Sequence, residues 1–380
     1  MSDWIVYHRD HSGNNYGEFN PLNLRWGKSL IGPGYITYDI PLSNALATLG
    51  QTRPYRSDFS LQTRGGGPHI MSGIHTEVSI QDHYKNRVMS VAGKDYLHYL
   101  EKVIWPKDPN SNYRTTTAAD PTNGTVFDYT GSVSYVIYRL IRESCNDSGI
   151  ADSLQWQFLG TPSSGGTEVR YRIDPGDTRT IADHISEILS MGDPAVTRFL
   201  QLVAPWGEPS LNFPSSALPA YGTSTPVTYK FICRPGGNAE FLSFRHGGIR
   251  GTRVFGIAQG PSNRKGVINY AGGSLYRRLD IVEEFSGPSA LANLTTLVAS
   301  AASEALVPDI EVQVKFYDNP EIFNPFMDEL VFPGARVQLE VDLEWTDIVD
   351  TFTVTALDCA CEDNGATEYT ATLNKPLATV

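Results

Sequence analysis

The run Arg336-Val337-Gln338-Leu339-Glu340-Val341-Asp342-Leu343-Glu344 has an apolar residue at every second position. Successive side chains of a strand point to opposite faces, so this period predicts a half-buried strand with Val337, Leu339, Val341 and Leu343 inward. The turn dipeptide Pro333-Gly334 precedes it. The same period recurs over Thr351–Leu357 (Phe352, Val354, Ala356). It recurs again over Thr367–Leu373 (Tyr369, Ala371, Leu373), after a turn at Asp363-Asn364-Gly365. Upstream, Ile310, Val312, Val314 and Phe316 alternate with polar residues. Four alternating strands in succession predict an antiparallel sheet closed into a small barrel or sandwich.

The N-terminal third reads similarly. Ile36, Tyr38 and Ile40 alternate after Gly32-Pro33-Gly34, and 69–80 and 86–91 are candidate paired strands. A short helix is expected after Gly93-Lys94-Asp95, with Leu97, Leu100 and Val103 on its apolar side. Three longer helices are predicted. One carries Val133, Val136, Ile137, Leu140 and Ile141, with Gly149 after its end. One is capped by Thr180 and carries Ile181, Ile185, Ile188 and Leu189, with Gly192 past its end. The last starts at Pro288 and runs to Leu306, with Leu291, Leu294, Leu297, Val298 and Ala305 as its stripe. The Pro-, Ser- and Gly-rich stretch 205–226 reads as a long loop or connection, and no internal repeat is visible. The fold class expected is mixed and mainly β: barrel-like regions at both ends with α/β segments between.

The chain has 380 residues, with 30 Lys and Arg against 42 Asp and Glu, a formal net charge of −12. This length favours more than one domain. An acidic balance argues against gripping nucleic acid through its phosphates, though not against letting it slide past. No run approaches the roughly 18 apolar residues of a membrane helix, and Met1-Ser2-Asp3-Trp4 lacks the basic-then-apolar start of a signal peptide. The four cysteines, Cys145, Cys233, Cys359 and Cys361, are too sparse for a disulfide scaffold.

Each chemical motif has a plainer reading. Gly27-Lys28-Ser29 resembles the tail of a phosphate-binding loop, but the first glycine of that motif is replaced by Leu22. Cys359-x-Cys361 has poor spacing for tetrahedral zinc. The pairs His8/His11 and His69/His75 lack helical spacing with a glutamate, and no G-x-S-x-G elbow occurs. Glu283 and Glu284 fall on opposite faces of a strand. Arg245, Arg250, Arg253 and Arg277-Arg278 form the one basic concentration, suited to salt bridges at least as well as to nucleic acid. The expectation is no catalytic, cofactor-binding or metal-binding residue.

Several segments carry a resemblance. Arg253–Gly260 is followed by an arginine-containing turn, then Leu279-Asp280-Ile281-Val282-Glu283 and the helix from Pro288. Trp26–Ile40, Val91–Leu100 ending at Ile104-Trp105-Pro106, the capped helix 180–191 and Phe332-Pro333-Gly334 complete the set. In this order they resemble the tail proteins of long-tailed phages of the ReqiPepy6 group, which in turn resemble the central baseplate hub of contractile-tail phages.

The resemblance implies a minor tail protein: a homotrimer in which each chain gives two tube-like β-barrels to a pseudo-sixfold ring matching a hexameric tail tube. It implies a first barrel domain at 1–107, a middle α/β domain at 108–240, a second middle segment with the long helix at 241–307, and a last barrel at 308–380, possibly completed by 241–260. Its partners would be itself, the tail tube, distal tail and tip proteins, and DNA passing without specific binding. Its place would be the virion, after synthesis in the host cytoplasm. The polar face of the opening strand, with Glu340, Asp342 and Glu344, becomes a candidate acidic channel wall, against an outer solvated face as the alternative. Two other classes remain open: a receptor- or carbohydrate-binding tail module, and a cell-wall-degrading hydrolase.

Overall fold

The computed structural model describes residues 4–10, 15–29, 32–44, 46–48, 51–64, 69–83, 86–105, 127–146, 156–159, 168–173, 177, 179–191, 201–203, 210–212, 229–247, 250–259, 264–270, 278–286, 288–306, 310–317, 333–343, 346–361 and 367–374. Strands dominate them, as the alternating pattern predicts. The chain opens with β1 (Trp4–Asp10), β2 (Asn15–Phe19), β3 (Leu22–Ser29), β4 (Tyr35–Pro41), β5 (Ser57–Thr63), β6 (His69–His83) and β7 (Asn86–Asp95). A middle stretch carries α1 (Leu97–Leu100), β8 (Phe127–Ser132), α2 (Val133–Ile141), β9 (Gln157–Leu159), β10 (Glu168–Ile173), α3 (Ile181–Ser190), β11 (Gln201–Val203) and β12 (Ser210–Asn212). Then come β13 (Tyr229–Cys233) and β14 (Glu240–His246), followed by β15 (Arg253–Gln259), β16 (Arg264–Tyr270), β17 (Asp280–Ser286) and α4 (Pro288–Ala305). The last strands are β18 (Ile310–Tyr317), β19 (Arg336–Leu343), β20 (Thr346–Cys361) and β21 (Thr367–Asn374).

The first seven strands are ordered β2-β1-β5-β6-β7-β4-β3, all antiparallel. The end strands β2 and β3 are separated only by Asn20-Pro21, so the sheet curls back on itself. The last sheet is ordered β14-β18-β21-β20-β19-β13, antiparallel except for the parallel pair β13–β19. Its end strands β13 and β14 are likewise consecutive, joined by a turn in which Ala239 N donates to Ile232 O at 3.3 Å. The two sheets are one: Arg25–Ser29 of β3 pairs with Ala356–Ala360 of β20, giving a thirteen-stranded sheet. A single apolar core, from Trp4 and Trp26 to Phe316 and Leu373, runs through both parts.

The two parts repeat one design. The order β3-β4-β7-β6-β5 in the first matches β14-β18-β21-β20-β19 in the second. The irregularities match as well. β6 slips against β7 between His75 and Glu77, and β20 slips against β21 between Val354 and Ala356. The residue passed over is a threonine both times. Thr76 Oγ1 donates to Ala92 O at 3.4 Å, and Thr355 Oγ1 to Thr372 O at 3.1 Å. Those carbonyl residues hold equivalent places, opposite Glu77 and Ala356. β3 and β14 each carry a further slip, between Leu22 and Arg25 and between Phe241 and Ser243. Bulges of this kind bend a strand and raise its twist, which a curled sheet requires. The slip at Thr355 also changes the phase of β20. Leu357 and Cys359 point inward, whereas the simple alternation expected Ala356 there.

The helices follow their sequence signals. Ser132 caps α2 by accepting from Tyr135 N at 3.2 Å, and Thr180 and Asp183 form a reciprocal capping box on α3. The expected end signals Gly149 and Gly192 lie outside the described residues. α1 is one turn long, with Leu100 buried. α4 lies against β15, where a Cβ at Gly256 would overlap the Val298 side chain. With α2, α3, Phe127, Tyr171 and Trp156 it forms a second apolar core. Of 205–226 only residues 210–212 are described, as β12.

Candidate functional site

The seam between the two halves of the sheet is built from residues far apart in sequence. Trp26 of β3 lies opposite Cys359 of β20, and both are buried, at 1% and 2% exposure. Gly27 is opposite Asp358 on one side and Tyr35 on the other. The Tyr35 ring crosses the open backbone of Gly27, and its hydroxyl donates to Asp358 Oδ1 at 2.8 Å. A Cβ at Gly27 would overlap both the ring and that oxygen. Gly27-Lys28-Ser29 therefore sits inside a strand, and among the described residues the next element is another strand, β4, rather than a helix N-terminus to receive phosphate.

The polar face of β19 has a different character from the one its sequence suggests. Glu340 pairs with Lys230 of β13, and Arg234 Nη1 lies 3.6 Å from its other oxygen. The Lys230 hydrogen bond holds the Glu340 carboxyl below its usual range. The pairing arises because β13 runs parallel to β19 and sets Lys230 beside Gln338. Asp342 is exposed and sits opposite Asp347 of β20. Glu344 lies outside the described residues. Two adjacent carboxylates, Asp342 and Asp347, are thus the acidic part of this described face, and Val349 beside them is exposed. Sequence alternation located the face. It had no means of showing Lys230, which arrives from more than a hundred residues away.

The other chemically suggestive groups serve the fold. Ser57, His75, Tyr38 and His8 form a buried chain of hydrogen bonds. Ser57 Oγ donates to Arg53 O at 2.9 Å, so it accepts from Nδ1–H of His75 at 2.7 Å. His75 Nε2 must then accept from the Tyr38 hydroxyl, which in turn accepts from His8 Nε2–H, each at 2.8 Å. His8 Nδ1 is left as a buried lone pair without a partner among the described residues. Burial holds His8 down to about 4 and His75 well below its ordinary value, with His8 adding to the latter. A serine and histidine so enclosed meet no substrate.

Three of the five clustered arginines form ion pairs within the chain, Arg250 with Glu283, and Arg253 and Arg278 with Asp280, while Arg277 lies outside the described residues. Arg278 and Arg253 lower Asp280 to about 2. Glu283 is half-buried and Glu284 exposed on the opposite face. Cys359 and Cys361 have sulfurs 4.0 Å apart and are not joined as a disulfide. Among the described residues no three His, Cys, Asp or Glu side chains are placed to hold a metal ion. No described helix is long and apolar enough to cross a membrane.

Two features of the sheet remain unaccounted for by the monomer. β14 is exposed along nearly its whole length, including Leu242 and Phe244. The second half of β6, Glu77–Gln81, is also mostly exposed, with Ile80 among the exposed apolar residues. Neither edge was singled out in the sequence, where 69–80 reads as a candidate paired strand and 241–260 only as a possible completion of the last barrel.

No family model matches the sequence, and no curated protein matches it significantly. Solved structures do match its fold over nearly the whole chain. A tail protein from Neisseria meningitidis MC58 aligns with a TM-score of 0.59 at 14% identity, covering 98% of this chain and 96% of that one. The fold is that of phage tail proteins. The 43 kDa tail protein of prophage MuSo2 from Shewanella oneidensis aligns with a TM-score of 0.60 at 11% identity, covering 98% and 99%. Prophage tail protein gp18 from Listeria monocytogenes EGD-e aligns with a TM-score of 0.53 at 11% identity, covering 98% and 94%. The tail-protein resemblance of the quoted segments thus holds at the level of the fold.

Proposed function

We propose that this chain is a structural hub of a phage tail, a minor tail protein of the virion. Three copies form a ring at the distal end of the tail tube, join the tube to the tip, and let DNA pass. The observation that carries this reading is the doubled five-strand sheet, joined edge to edge within one chain. Two equivalent sheets per chain, taken three times, place six similar units around one axis, the symmetry needed to sit on a hexameric tube. A heterologous contact that closes after a fixed rotation makes such a ring. The fold likeness to three tail proteins over nearly their full lengths supports the same reading.

In this reading the partners are the chain itself, the tail tube, and the distal tail and tip proteins. DNA moves through without specific binding, and no catalytic, cofactor or metal role is assigned. Glu340, Asp342 and Glu344 face the channel. The net charge of −12 supports a lumen that does not retain phosphates. Lys230 and Arg234 already offset Glu340, so Asp342 beside Asp347 supplies the main local repulsion. The test is a reconstruction of the tail tip, or native mass of the assembled particle. A threefold ring with two sheets per chain is expected, and a sixfold ring with one per chain would overturn it. Glu340→Lys with Asp342→Lys should leave the ring intact and slow DNA release, more so at low salt.

A further inference from the structure

The joint between β3 and β20 has a second, unused counterpart in every chain. In the doubled design β3 corresponds to β14, and β20 to β6. The matching slips set the correspondence residue by residue. Trp26, opposite Ile36, corresponds to Phe244, opposite Val312. Ala356–Ala360, which follows the slip at Thr355, corresponds to Glu77–Gln81, which follows the slip at Thr76.

On β20 this segment has β21 on one side and β3 on the other. On β6 it has β7 on one side, while β5 pairs only with the earlier part, His69–Ile74. The far side of Glu77–Gln81 therefore has no ladder among the described residues. β14 likewise pairs with β18 alone. The exposures agree. Cys359 and Trp26 bury each other within the chain, but their counterparts Ile80 and Phe244 stand at 49% and 40% exposure.

We propose that β14 of one copy pairs antiparallel with the second half of β6 of the next copy, reproducing between chains the joint that β3 and β20 make within one. This rests on the ring reading above and adds its interface. Transferring the register of the intrachain joint sets Phe244 opposite Ile80, Arg245 opposite Ser79, and Ser243 opposite Gln81 of the neighbour. The two exposed apolar side chains thereby cover each other. Arg245 falls diagonal to Glu77 on the outer face, within reach of an opposite-charge cross-strand contact. The backbone groups of two open strand edges are satisfied in the same step. Because the chain-to-chain joint repeats the joint within the chain, the rotation it imposes equals the rotation between the two halves. Repeated contacts of that kind give a ring where the rotation closes, as the ring reading requires after the six halves of three chains, and an open filament where it does not.

The test uses the full chain carrying Phe244→Cys and Ile80→Cys together. Residues directly opposite on antiparallel strands bring their Cβ atoms to roughly 4.5–5.5 Å, close enough for a disulfide with small adjustment. Oxidation should give reductant-sensitive dimers and a closed trimer as the largest covalent species, absent from either single variant. In parallel, Phe244→Asp should convert sedimenting assemblies to monomer with an unchanged circular dichroism spectrum, since Phe244 is outside the core. Assemblies that persist in Phe244→Asp and give no 244–80 cross-link would overturn this pairing while leaving the ring reading standing. A chain that stays monomeric at every concentration, with no cross-link, would overturn both.

Discussion

Replacing Gly27 with alanine should strain the seam of the sheet. The new methyl group would overlap the Tyr35 ring and Asp358 Oδ1, both held in place by their mutual 2.8 Å hydrogen bond. Forcing a methyl group into such a contact costs about 1–3 kcal/mol. Losing the exposed Tyr35–Asp358 hydrogen bond adds about 0.5–1 kcal/mol. Against this, alanine restricts the unfolded chain and returns about 0.4–1 kcal/mol. The net expectation is a loss of about 1–3 kcal/mol, read by equilibrium denaturation. The cause is isolated by a cycle with Tyr35→Ala. Once the ring is gone, Asp358 can swing away, and Gly27→Ala should be close to neutral. A coupling of about 1–3 kcal/mol between the two changes is therefore expected. Additive effects, or a Gly27→Ala protein as stable as the parent, would show that the ring crossing the glycine does not hold the seam.

Three further outcomes are expected. Thr76→Val and Thr355→Val remove the same hydrogen bond from the two halves, so each should cost about 0.5–1.5 kcal/mol by denaturant titration; a large effect at one and none at the other would contradict the doubled design. Leu339→Ala empties a fully buried position and should cost about 2–5 kcal/mol, whereas Gln338→Ala on the opposite face should cost far less. Between pH 6.5 and 4 the unfolded chain takes up a proton that folded His8, held at about 4, refuses, so stability falls on acidification by about 1.4 kcal/mol per pH unit, with His75 acting in the same direction. Asp95 opposes this: burial raises it to about 7, so the folded form binds its proton first and gains as pH falls. Asp95→Asn should then steepen the acid loss, and pH profiles that stay parallel to the parent's would refute the assignment.

The sequence by itself determined the strands and what they bury. Val337, Leu339 and Val341, then Tyr369, Ala371 and Leu373, then Val312, Val314 and Phe316 are all inside, because a period of two permits no other buried face. It also located the helix that starts at Val133, by its apolar face, and the helix capped by Thr180, whose signal is a local hydrogen bond. Tertiary structure decided everything that depends on which strand lies beside which. The doubling of the sheet left no readable repeat, because a ladder constrains backbone and alternation rather than residue identity. Ile36-x-Tyr38-x-Ile40 and Val312-x-Val314-x-Phe316 satisfy it equally. The phase change at Thr355 was hidden because a bulge adds one residue without altering composition. Lys230 beside Glu340 and the Tyr35 bond to Asp358 across Gly27 come from pairings more than a hundred residues apart, and the open edges at Phe244 and Ile80 are what those pairings leave over. Such pairings are chosen by the whole core at once, and no local spacing in the chain encodes them.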